Sequence, residues 1–316
     1  AVGLIGNVWA AVNPWYAPWR IVTALARRDP EKVPLRLPDR LGYWPAVLGL
    51  AGFTWFELID VAPDDPARLA TVVLAYWLVS FVGMLLFGYR EWAGRCEFLS
   101  VFFAMVSRFA IVDVAENRRL SLCLPGARLQ NVPPLPVSGT LFILLALASV
   151  SFDGLSRTFF WLGLNGINPL EFPGRSAMTG INSAGLAAAS LLLSVAFMFA
   201  VRLGLKLSRD VTPLAEAAGL LVWSLVPIAL AYHFSHYLTV LLVNGQYALV
   251  ALSDPFSLGW DLFGTAHAGV EAGVVMGPEA AWTLWNLQAG AIILAYSAWA
   301  TPGVGLRRLV RQPESV

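Results

Sequence analysis

The side chains best suited to metal chemistry are the chain's three histidines, His233, His236 and His267. Two of them lie in the run Tyr-His-Phe-Ser-His-Tyr, from Tyr232 to Tyr237, inside an apolar stretch long enough to cross a bilayer. Ionisable groups are costly at membrane depth, where they usually face a bundle interior and bind or react. A spacing of three puts His233 and His236 on one helical face, close enough to ligate a single ion. Asp153 or His267 would supply a third ligand, giving a two-histidine-plus-carboxylate or a three-histidine set. Glu57 or Asp60 would then serve as general base, or as a carboxylate that orients the ligands.

Neutral imidazole suits zinc, copper and iron alike, so ligand type leaves the divalent metal open. Zinc with an open position lowers the pKa of a bound water to about 7 and makes a nucleophile. Copper or iron would favour redox or oxygen chemistry. Two other readings of the same residues stand beside this one. Histidines in membrane helices also tie neighbouring helices together without metal, and they ligate haem or pigment. His-x-x-His is a weak motif, and the more specific His-Glu-x-x-His is absent. Asp153 and Arg157, four residues apart, read as an ion pair before they read as a catalytic pair.

These residues need helices to position them, and six stretches have the length and apolarity of a transmembrane span. They are Tyr43–Val61, Leu69–Tyr89, Val137–Ser156, Ile181–Lys206, Ala217–Leu242 and Thr283–Thr301, the fifth extending toward Leu252 if it is long or broken. Pro227 inside the fifth predicts a kink near the histidines. The connections alternate in charge. Arg20, Arg27, Arg28, Lys32, Arg36 and Arg40 precede the first span, and Arg90, Arg95, Arg108, Arg118, Arg119 and Arg128 fall between the second and third. Arg202, Lys206 and Arg209 mark the next such side, and Arg307, Arg308 and Arg311 the tail, whereas the segment Ser253–Trp282 has no Lys or Arg. Positive residues stay in the cytoplasm, so both termini are expected inside, in a bacterial cytoplasmic membrane.

That topology gathers the polar residues. Glu57 and Asp60 fall near the outer end of span one, Asp153 near that of span three, and His233 and His236 after most of span five. The outer loop carries Asp254, Asp261, His267 and Glu271, and span six brings Asn286 and Gln288 to the same level. The expectation is one cluster of Glu57, Asp60, Asp153, His233, His236, His267 and Asn286 in the outer leaflet. It depends on the helix count.

With 58% hydrophobic and 13% charged residues, and a mean hydropathy of +0.66, the composition is that of a membrane protein rather than a soluble domain. Thirteen tryptophans fit the two headgroup levels. A net charge of +1 gives no field for nucleic acid. Cys96 and Cys123 lack metal-site spacing and fall in a cytoplasmic connection, where thiols stay reduced. No phosphate-cradling glycine loop and no Gly-x-Ser-x-Gly elbow is present, against nucleotide-driven transport and serine hydrolysis.

We read one transmembrane domain over 1–316, all-α, with an N-terminal interfacial segment at 1–42, a cytoplasmic connection at 90–136 and an outer loop at 253–282. Pro14–Arg28 and Glu97–Val112 are expected as interfacial amphipathic helices, or the latter as a re-entrant hairpin; Phe98, Val101, Phe102, Met105 and Phe109 mark its apolar face. Ala1–Val12 is apolar but too short to span, as the stump of an earlier helix in a longer precursor would be. Gly259-Trp260-Asp261-Leu262-Phe263-Gly264 reads as a headgroup-level anchor or as a lid.

Several segments resemble a known family. They are Asn7-Val8-Trp9 through Asn13-Pro14-Trp15, Arg40-Leu41-Gly42-Tyr43-Trp44-Pro45-Ala46, Ser151-Phe152-Asp153-Gly154, and His236-Tyr237-Leu238 through Asn244-Gly245-Gln246-Tyr247. The runs Leu252-Ser253-Asp254-Pro255-Phe256 and Gly259 to Thr265 belong with them. Together they are similar to a family of bacterial polytopic membrane proteins, some of whose members are named fenitrothion hydrolase. The resemblance implies a membrane-embedded organophosphate ester hydrolase and assigns no catalytic residue. The expected function is therefore a metal-assisted membrane hydrolase of lipophilic esters. The alternative is a non-catalytic integral subunit of a respiratory or photosynthetic complex, with membrane-protein partners or further copies of itself and with haem or pigment on the histidines. A transporter is less favoured, because the charges sit at one end rather than along a path.

Overall fold

Proline, aspartate and glutamate placed just ahead of apolar runs decide where the main helices begin. Asp65 accepts the Arg68 N–H at 2.8 Å with Pro66 in the first helical position, which starts a 22-residue helix with no intervening loop to spare. Glu97 caps the run Phe98–Val106 by accepting from the N–H groups of Leu99 and Ser100. Thr158 does the same for Phe159–Leu164 through Trp161 N–H.

The computed structural model describes residues 2–27, 29, 33–114, 120–171 and 174–269. The side chains of 231–243, and with them His233 and His236, lie outside that description, as do the sixth span Thr283–Thr301, Glu271, Asn286 and Gln288. The described residues form α1 (Val2–Ile5), α2 (Val8–Val12), α3 (Tyr16–Leu25), α4 (Trp44–Ile59), α5 (Pro66–Phe87), α6 (Tyr89–Arg95) and α7 (Phe98–Val106). A short antiparallel pair, β1 (Val112–Val114) and β2 (Leu120–Leu122), sets Val112 opposite Leu122. Then come α8 (Val137–Ser156), α9 (Phe159–Leu164), α10 (Arg175–Ser208), α11 (Leu214–Leu221) and α12 (Leu225–Ser253).

The chain divides into two units, the first running to Val226 and the second beginning at Pro227. In the first, α8 is the hub: 72% of its apolar window is buried, against 17% for α5 and for α10. Helix α4 runs parallel to α8. Their first residues meet where Tyr43 N–H donates to Ser138 Oγ at 2.9 Å, and their last where Ile59 packs on Phe152. Helix α10 runs the other way, with Leu186 on Phe152 near its start and Val201 on Ala217 and Ala218 of α11 near its end. Close approach at two glycines permits this packing. A side chain at Gly185 would strike the rings of Phe152 and Trp161, and one at Gly219 would strike the backbone of Leu135, whose N–H donates to Gly219 O.

Among the described residues three helices, α5, α8 and α10, are long and apolar enough to cross a membrane. At about 1.5 Å per residue, the 20 residues of α8 cover about 30 Å, the thickness of a hydrocarbon core. The middle stretches of the exposed faces of α5 and α10 are apolar, with Val73, Leu74, Val79, Leu191, Leu192, Val195 and Phe199 outermost. Contiguous apolar exposure on that scale marks contact with lipid or a partner rather than with water.

The expected fifth span is differently divided. Helix α11 ends at Leu221, a 3-10 turn covers Val222–Ser224, and α12 then continues to Ser253. Pro227 therefore falls in the first turn of α12, where its missing N–H has no intrahelical partner to lose, instead of kinking a helix interior. The segment Glu97–Val112, expected as an interfacial helix or a re-entrant hairpin, opens with α7, which buries Phe98, Val101 and Met105 among protein side chains. Phe98 packs against Gly49, Phe53 and Tyr76 of α4 and α5, while Phe102 and Phe109 stay half-buried.

Candidate functional site

The last turn of α4 leaves its carbonyls without helical donors, and Arg175 from the start of α10 supplies them. Its guanidinium donates to Asp60 O at 3.1 Å and to Glu57 O and Leu58 O at 3.4 Å each. A cation over a helix C-terminus also meets the negative end of the dipole. The Asp60 side chain, 12% exposed, takes Arg68 Nη1 on both oxygens at 2.8 and 3.0 Å and also accepts the Ala62 N–H at 2.9 Å. This clamps the α4–α5 turn.

One layer further, Asp153 is 5% exposed and pairs with Arg157 Nη2 at 2.9 Å, the ion pair expected from their spacing. Ile59, Phe152 and Leu186 pack directly beneath, and the Trp161 indole donates to Asn182 Oδ1 at 2.9 Å. The first unit thus brings Glu57, Asp60 and Asp153 to one end of the α4–α8–α10 group, together with three arginines. A carboxylate that accepts from a guanidinium is engaged in a charge-assisted contact that fixes its position. Asp60 and Asp153 therefore have the surroundings of structural ion pairs. Beside this end, α4, α8 and α10 enclose a lateral groove of about 470 Å³ lined by Ala51, Thr54, Trp55, Leu145, Ser183 and Ser190 among others. The hydroxyls of Thr54, Ser183 and Ser190 donate to carbonyls of their own helices, so the groove presents an apolar surface.

In the second unit, His233 and His236 lie one turn apart on the unbroken backbone of α12. His267 is exposed in the following loop. That loop folds back on the end of α12: Thr265 Oγ1 donates to Leu249 O at 2.9 Å, and Leu262 N–H donates to Ser253 O at 3.1 Å. Leu249 lies thirteen residues beyond His236, about 20 Å along a helix axis. His267, two residues past the anchor, shares an ion with the pair only by reaching back along the helix. Asp261 accepts from Ala266 N–H and from Ser253 Oγ, and these bonds hold its carboxyl below the usual aspartate range, with help from nearby His267 and against partial desolvation. Among the described residues no three His, Cys, Asp or Glu side chains gather at metal-binding distance.

Glu97 was not among the candidates, yet it is 1% exposed in the first unit. Besides capping α7 it receives the Tyr76 hydroxyl from α5. Next to it, Ser100 Oγ accepts from the Trp9 indole and from Asn13 Nδ2, each at 3.1 Å, and the Trp15 indole donates to Trp77 O at 2.9 Å. This polar chain fastens the N-terminal helices to α5 and α7. An acid immediately before an apolar run is the sequence signal for the cap. Nothing local marks the tyrosine that comes to meet it.

The sequence matches no protein-family model, and neither a curated protein nor a solved structure shows significant similarity to it.

Proposed function

We propose that the chain is a multi-pass protein of a bacterial cytoplasmic membrane, with both termini inside, a divalent-metal site on α12, and hydrolysis of lipophilic esters as its activity. One observation carries this reading: α12 runs without a break through His233 and His236, so both imidazoles start from one helical face. The two imidazoles are the ligands to which this reading commits. Bound zinc, copper or iron would polarise an ester oxygen or supply a hydroxide nucleophile. The apolar groove beside α10 suits a ligand that arrives from the lipid phase. Asp60 and Asp153 enter this reading as structural groups, because their oxygens are engaged by Arg68 and Arg157.

Those same ion pairs favour a second reading, an integral subunit without chemistry of its own, whose bare α5 and α10 faces meet partner helices. Elemental analysis of the detergent-purified protein, with an absorption spectrum, separates the two. The enzyme reading predicts stoichiometric metal that is lost in His233→Ala and in His236→Ala. A Soret band would redirect the site to haem. Neither metal nor chromophore, with both variants folded like the parent, would sink the metal site and leave the subunit.

A further inference from the structure

We infer that the loop following α12 is an anchor that seats in the headgroup–acyl boundary of the bilayer, held there by apolar burial rather than by charge. This rests on the membrane reading above. Phe256, Leu258, Trp260, Leu262 and Phe263 are 70, 64, 42, 59 and 69% exposed, so nearly every large side chain of the tip points outward and all are apolar. Phe256 and Trp260 meet edge to face with ring centroids 5.7 Å apart.

The loop's polar groups point the other way. Asp254 accepts from the N–H groups of Leu258 and Gly259 at 2.8 Å each. Ser253, fully buried, donates to Asp261 and accepts from Phe263 N–H at 3.0 Å, and Asp261 accepts from Ala266 N–H at 3.0 Å. Positive φ at Ser257, Gly259 and Gly264 turns the backbone tightly enough to allow this. A backbone whose N–H groups are satisfied internally loses less on entering a water-poor layer.

Three observations select lipid as the occupant. Tryptophan and phenylalanine beside glycine are the side chains of the interfacial layer. The segment Ser253–Trp282 has no Lys or Arg with which to seek anionic headgroups. Helix α12 has 29 residues, about 43 Å of rise against a core of about 30 Å, so a helix that crosses delivers its end to the interface.

The test uses the full chain carrying Cys123→Ser, Cys96 being buried and its thiol pushed up to about 11 by that burial. Single cysteines at Leu258→Cys, at Phe263→Cys and, as a reference in the middle of α10, at Leu192→Cys carry an environment-sensitive fluorophore. The protein is reconstituted into phosphatidylcholine vesicles containing lipids with a quencher at a shallow or a deep acyl position. The anchor predicts loss of fluorescence at 258 and 263 with the shallow quencher, unchanged by added salt, while 192 responds to the deep one. Loop positions open to aqueous iodide, or shielded from both lipid and iodide as under a lid or a protein partner, would overturn the anchor while 192 still reports the bilayer. Failure at 192 as well would sink the membrane reading itself.

Discussion

Glu97 accepts from the Tyr76 hydroxyl and from two backbone N–H groups in a site 1% exposed. Removing it strands three donors at once, one buried and two partly buried, each worth about 1–3 kcal/mol when left unsatisfied in the interior. Glu97→Ala should therefore lower stability by about 3 kcal/mol or more, and Glu97→Gln by less because its amide oxygen still accepts; thermal unfolding in one detergent compares them. Asp261 gives a pH dependence. Its folded pKa is held below the ordinary 3.8, first by Ala266 N–H and then by the Ser253 hydroxyl. The stabilisation it gives the loop is then fully present above that value and lost as pH falls through the lower, folded one. Amide-exchange protection of Phe263 and Ala266 should hold at neutral pH and fall only in strong acid; Asp261→Ala should remove it at every pH, and Asp261→Asn, whose amide oxygen still accepts, should keep part of it without the acid dependence. At this scale the spacing of Asp153 and Arg157 made their pair legible in advance. The partners of Asp60 and Glu97 were not, because Arg175 and Tyr76 arrive from other helices and leave no local trace.

Helix α8 carries the first unit, and its neighbours close on it through glycines. Gly219 faces the backbone of Leu135, so Gly219→Ala forces two main chains apart and should cost about 1–3 kcal/mol. Gly180, in α10, has open space around its Cβ position. Gly180→Ala should be neutral or stabilising by up to about 1 kcal/mol, since alanine gives up less entropy in a helix. In melting curves in the same detergent Gly219→Ala should fall below the parent and Gly180→Ala should not; equal losses in both would contradict this packing. The bounds of α8 were fully legible, as Pro136 and the polar end at Arg157 bracket an unbroken apolar run. Those of α10 fell short by six residues at its start, where Arg175, Ser176 and Thr179 look like loop to a hydropathy reading yet form its first turns. The break at Val222–Ser224 was hidden for the opposite reason: the run stays apolar through it, and apolarity does not distinguish a 3-10 turn from a helix.

Over the whole molecule, composition and the long apolar runs were enough to place helices of membrane length, three of which the described residues contain. The alternating directions of α4, α5, α8 and α10 put Asp60, Arg68, Asp153 and Arg175 at one end of the first unit. Which end faces outward is read from the basic connections alone, and the proposed metal site and the proposed loop anchor both inherit that choice. Impermeant maleimide labelling of single cysteines in spheroplasts tests it, with Asp64→Cys in the α4–α5 turn and Val211→Cys between α10 and α11, both exposed. Position 64 should react in intact spheroplasts and position 211 only after the membrane is opened. Equal labelling of the two before permeabilisation, or labelling of 211 alone, would contradict this orientation.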